Sequence, residues 1–122
     1  MSRAILIVDH GSRRPEANAD LERIADWVRQ RAPGQVVQVA HLEIAPPSIA
    51  EGLDACVRAG AREIVVHPYF LGPGNHTTHD IPRCVSEAAA GHPDVEVRIS
   101  EPLGPDVRFV DVILDRVERV RS

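Results

Sequence analysis

The chain contains no lysine; all fourteen of its basic residues are arginine. A Schiff-base lysine, a phosphate-loop lysine and a lysine nucleophile are thereby excluded. Aromatic residues are almost as scarce, with Trp27, Tyr69, Phe70 and Phe109 making up the whole set. The formal net charge is −4. The basic surplus and stacking rings on which nucleic-acid binding rests are both missing, so no nucleic-acid partner is expected. Cysteine is limited to Cys56 and Cys84, 28 residues apart and without a Cys-x-x-Cys pair. A closed structural zinc cage is therefore not expected, and reduced, core-facing thiols are. The longest apolar run, Ala4 to Val8, is far too short to span a bilayer. A soluble, cytoplasmic protein without a membrane partner is the expectation.

What remains is ordinary globular material. The 122 residues are 43% hydrophobic and 26% charged, enough to bury a core without metals or disulfides. One domain over residues 1–122 is expected. Ala4 to Val8 is a continuous aliphatic run, the mark of a strand buried on both faces. Pro15 to Arg31 carries apolar residues at Ala17, Leu21, Ile24, Ala25 and Val28, a helical stripe ended by Pro33-Gly34. Val36 to Leu42 reads as a second strand. Ser48 and Glu51 form a capping-box pattern before a helix that stops at Gly60. Ile64 to His67 is a third strand, Ile81 to Ala89 a third helix, and Val95 to Ile99 a fourth strand. Val107, Val110, Leu114 and Val117 mark a last helix.

Four β-α units in succession predict an α/β protein with a four-stranded, mostly parallel sheet and helices on both faces. Ligands in such sheets bind outside the carboxyl ends of the strands. The loops expected there are 9–13, 43–47, 69–80 and 101–103, and they bring His10, Glu43, His76 and His79 to one edge. His10 ends a buried strand and is followed by Gly11, which permits a sharp turn beside the imidazole. A histidine there suits a metal ligand or proton acceptor. Asp9 is placed to orient a ring nitrogen, although strand neighbours point to opposite faces. Glu43 closes an otherwise apolar segment, where an ionisable group needs a partner. His76 follows Gly72-Pro73-Gly74-Asn75, a loop that turns the ring outward. His41, His67 and His92 read as structural. Two histidines and a carboxylate on one rim suit a loosely held divalent transition metal with open positions. The dinucleotide fingerprint is absent after the first strand.

These residues resemble a known family. Asp9-His10-Gly11-Ser12-Arg13 is similar to the His-Gly-Ser-Arg motif of the sirohydrochlorin chelatases, the CbiX/SirB group. Leu42-Glu43 with Pro47-Ser48-Ile49 resembles its second motif, and Pro68 through His76 to Pro82 its third, in the same order and spacing over essentially the whole chain. The resemblance implies a chelatase-like fold and insertion of a divalent metal into a sirohydrochlorin-like tetrapyrrole, in cobalamin or siroheme biosynthesis. Cobalt is the first choice, with nickel or iron as alternatives. It implies that His10 and His76 hold the metal and accept pyrrole protons, with Glu43 assisting. It implies too that Ser12, Arg13, Arg14, Tyr69, Phe70, Leu71, Gly72 and Gly74 line the tetrapyrrole site, with Arg83 a further candidate. No permanently bound cofactor is expected, because the metal is a substrate. The short form of the family implies a homodimer that builds the cleft between subunits, covering Tyr69, Phe70 and Leu71. Two rivals remain: a non-catalytic metal or tetrapyrrole carrier, and phosphoryl transfer through a histidine. The second normally has arginine before His-Gly, where Asp9 stands here.

Overall fold

The computed structural model describes residues 2–72, 74 and 76–121, with the backbone alone for His76 and Thr77. Four strands, β1 (Arg3–Asp9), β2 (Val36–His41), β3 (Glu63–Pro68) and β4 (Glu96–Ile99), form one sheet in the order β2-β1-β3-β4. Every pairing is parallel. The helices are α1 (Pro15–Arg31), α2 (Ile49–Arg58), α3 (Ile81–Ala89) and α4 (Phe109–Arg121). A π-helical turn, His76–Asp80, runs directly into α3 where the sequence suggested only loop.

Side chains alternate across the sheet, so β1 feeds two cores. Ala4, Leu6 and Val8 join Leu53 and Cys56 of α2 and Ile81 and Val85 of α3 on one face. Ile5 and Ile7 join Leu21 and Ala25 of α1 on the other. Two features hold α2 in place. Its start carries the expected capping box: Glu51 N–H donates to Ser48 Oγ at 3.1 Å, and Ser48 N–H donates to Glu51 Oε1 at 2.8 Å. Gly52 lies flush against the sheet, where a methyl would come within 2.8 Å of Leu6 Cδ1 and 3.0 Å of Ala40 Cβ.

The expectation of helices on both faces is met by α1 opposite α2 and α3. The last helix departs from it. Among the described residues α4 buries none of its side chains, and Val110, Val112, Ile113, Leu114 and Val117 all stand exposed. Its apolar stripe is present as the sequence suggested, but the chain's own sheet does not cover it.

Candidate functional site

The chain leaves β1 towards β2 by way of α1, and leaves β3 towards β4 by way of α3 on the opposite face. The loops after these adjacent strands therefore diverge and open a crevice at the carboxyl edge, the usual ligand site of such sheets. The segments carrying His10 and His76 are the two loops that part there.

Pairing between β1 and β2 continues beyond the strands. Leu42 N–H donates to Asp9 O at 2.8 Å and Glu43 N–H donates to His10 O at 3.0 Å. This brings two side chains 33 positions apart into contact, with His10 Nε2 2.7 Å from Glu43 Oε1. The other ring nitrogen is fixed as well. Nδ1 lies 3.1 Å from the Gly11 carbonyl oxygen, which can only accept, so Nδ1 donates and Nε2 faces the carboxylate. Both side chains are partly open to solvent. The turn depends on Gly11, at φ +97°. A methyl there would lie 2.0 Å from the Glu43 carbonyl oxygen and 3.1 Å from His41 Cβ. Ile44, next to Glu43, also has a positive φ of 75°. A β-branched residue rarely adopts that conformation, so strain sits beside the pair.

Sequence reasoning missed two things here. Asp9 does orient a ring nitrogen, but that of His41: His41 Nδ1–H donates to Asp9 Oδ1 at 2.5 Å. The two residues are register partners on adjacent strands, and His41 is only 3% exposed. Opposed polar residues at matching strand ends were the available signal. The strain at Ile44 had no signal in the sequence.

The remaining candidates divide. Ser12 has a turn role, with Arg14 N–H donating to its Oγ at 3.0 Å. Asn18 clasps its backbone from both sides, accepting from Ser12 N–H at 2.9 Å and donating to Ser12 O at 2.8 Å. Arg13 and Arg14 are exposed, and among the described residues neither guanidinium meets a carboxylate. Arg83 is engaged by Asp80 and Glu87 along its own helix. Tyr69 and Phe70 are half-buried, Tyr69 against the α1 core and Phe70 against the α2/α3 core, because adjacent residues leave β3 towards opposite faces. Leu71, the third apolar residue of this loop, is 72% exposed. Around Gly72 and Gly74 a methyl would meet nothing within 4 Å. The His76 side chain, placed among the metal ligands from the sequence, lies outside the described residues. Among the described residues no three His, Cys, Asp or Glu side chains gather as a metal-binding group.

Towards β4, His67 Nδ1–H donates to Ser100 Oγ at 2.8 Å, and that hydroxyl donates to Glu101 O at 3.0 Å. Burial lowers the His67 pKa from its ordinary 6.5, and a hydrogen bond to the Glu101 backbone opposes the shift. A cleft of about 520 Å³ opens beside it, lined by His67, Leu103, Asp106, Arg108 and Phe109 among others.

A four-stranded parallel sheet of order 2-1-3-4, with an imidazole and a carboxylate meeting beyond the carboxyl ends of β1 and β2, defines an open α/β protein whose chemistry lies on the strand ends. The CbiX family profile matches residues 4–120. The chain is 41% identical to the chloroplastic sirohydrochlorin ferrochelatase of Arabidopsis thaliana, over 97% of this chain and 52% of that protein. It is 32% identical to the sirohydrochlorin cobaltochelatase of Methanocaldococcus jannaschii, over 93% of this chain and 96% of the relative. The crystal structure of the sirohydrochlorin chelatase SirB from Bacillus subtilis subspecies spizizenii in complex with cobalt superposes with a TM-score of 0.91. That match has 32% identity and covers 98% of this chain and 51% of SirB. The chain thus spans about half the length of several relatives it matches. It belongs to the CbiX family of sirohydrochlorin chelatases.

Proposed function

We propose that this chain inserts a divalent metal, cobalt first and iron or nickel as alternatives, into a sirohydrochlorin-like tetrapyrrole. The observation that carries this reading is the 2.7 Å approach of His10 Nε2 to Glu43 Oε1 at the carboxyl edge of a CbiX-family sheet. A divalent ion about 2.1 Å from each donor, subtending a right angle, needs the two atoms roughly 3 Å apart. The pair needs to part by only a few tenths of an ångström. Insertion then exchanges one M²⁺ for two pyrrole N–H protons, and the imidazole and carboxylate released by the metal are the bases at hand. His76 would supply a further ligand from the facing loop. Arg13 and Arg14, exposed at the head of α1, would anchor the macrocycle's carboxylates. An anaerobic absorbance assay with sirohydrochlorin and each metal tests the reading. Turnover by wild type and its abolition in His10→Ala are expected. Metal binding without turnover would favour the carrier.

The working form we propose is a homodimer, supported by α4. A thirteen-residue helix with its apolar stripe in water is unstable unless something covers it. On the sheet, Val65 and Ile99 are exposed as well. A second copy related by a two-fold axis would cover both surfaces and give the open crevice a facing wall. Light scattering should report twice the 13.4 kDa chain mass. A charge at Ile113 or Leu114 should dissociate the particle; a monomer with full activity would refute the dimer.

A further inference from the structure

We infer that the Asp9–His41 hydrogen bond is a positioning device for the His10–Glu43 pair. The inference rests on the reading above, in which that pair handles the metal.

The sheet carries two histidine–carboxylate pairs back to back, and each takes one member from each strand. In the first, β1 supplies the acid (Asp9) and β2 the imidazole (His41), joined at 2.5 Å. In the second, just past the ends of the two strands, the roles reverse, with His10 against Glu43 at 2.7 Å. His41 is buried at 3% exposure, whereas His10 and Glu43 are partly open to solvent. The Asp9 side chain is 23% exposed, but the His41 imidazole to which it is joined is closed to a macrocycle, and such a buried pair is weak evidence of stabilisation.

What it does follows from its place. The backbone bonds from Leu42 N–H to Asp9 O and from Glu43 N–H to His10 O are the last rungs between the two strands. Beyond them Gly11 and Ile44 both turn through positive φ, so no regular pairing holds the ends together. The Asp9–His41 bond ties the strands at the final rung by side chains. His41 is also tied on its other flank, its N–H donating to Pro47 O at 2.8 Å, which fastens the returning end of the loop that bears Glu43. Its Cβ borders the space that a methyl on Gly11 would occupy, at 3.1 Å. The buried His41 thus meets the β1 end through its imidazole, the Gly11 turn through its Cβ and the base of the Glu43 loop through its backbone N–H. Asp9 and His41 are positioning residues: they set the register of the reacting pair without touching substrate.

The test compares Asp9→Ala, His41→Phe and Asp9→Asn with Ile64→Ala, which removes a buried contact at the opposite end of β3. Co²⁺ affinity is measured by titration on the folded protein, with kcat and KM for sirohydrochlorin alongside. Asp9→Ala and His41→Phe should weaken Co²⁺ binding at least tenfold and lower kcat, with KM for the tetrapyrrole unchanged. Asp9→Asn keeps an acceptor for the His41 N–H and should stay within about threefold of wild type. Ile64→Ala should lower the melting temperature without changing Co²⁺ affinity. Wild-type Co²⁺ affinity in Asp9→Ala, or an equal loss in Ile64→Ala, would overturn the inference. A metal-free crystal structure of Asp9→Ala separates this from the functional reading. Opening of the His10–Glu43 contact beyond 3.5 Å supports positioning even if wild type binds no cobalt, and an unchanged contact refutes it.

Discussion

Gly11→Ala should damage both stability and site, for reasons that can be worked through quantitatively. At φ +97° a side chain is strained wherever it points, costing ~1–2 kcal/mol. The new methyl would also sit 2.0 Å from the Glu43 carbonyl oxygen. That atom is backbone, so no rotamer change relieves the overlap; the turn or the Glu43 loop must shift, at a further ~1–3 kcal/mol. The sum is roughly 2–5 kcal/mol, or about 8–20 °C in Tm for a chain of this length. The shift separates the two segments that bear His10 and Glu43. A misplacement of about 1 Å costs on the order of 100-fold in rate, so metal insertion should fall at least that far in the surviving folded protein. Urea unfolding and the anaerobic insertion assay measure the two effects. Gly34→Ala is the control, since a methyl there meets nothing within 4 Å; it should stay within about 0.5 kcal/mol of wild type. Gly11→Ala with unchanged Tm and unchanged rate would refute the account of this turn.

Three other outcomes follow from the same geometry. Ile44→Gly should raise stability by up to ~1 kcal/mol, because relief of the positive φ outweighs the entropy glycine adds to the unfolded chain and Ile44 buries little; a lower urea midpoint would contradict this. Burial holds His67 below its ordinary 6.5, so as pH falls below 6.5 the unfolded chain takes up the proton first and stability declines until the lower folded value is passed. His67→Gln should lose less stability than wild type between pH 7.5 and 5.5, and parallel urea curves would count against it. Burial pushes the Cys56 thiol up to about 11, so in native protein at pH 8 a thiol reagent should titrate the half-buried Cys84 and spare Cys56; two equivalents reacting at one rate would show that α2 opens.

Local pattern carried most of the fold. The run from Ala4 to Val8 had to be a doubly buried strand, and Ser48 with Glu51 had to start a helix, because both signals are complete within a few residues. Alternation of strand and helix then placed the loops of His10, Glu43 and His76 on one edge. Strand register was beyond such reasoning. Only the pairing of β1 with β2 decided that Asp9 meets His41 and that His10 meets Glu43, contacts 32 and 33 residues apart. Tyr69 and Phe70 looked alike in the sequence as apolar loop residues, yet they leave β3 on opposite sides and are absorbed by different cores. The stripe on α4 shows the limit most plainly. Its periodicity fixes that a helix forms and which face is apolar, but an apolar face does not specify what covers it. That depends on the surfaces left bare after the first three helices have packed, which is a property of the assembled sheet and of no single segment.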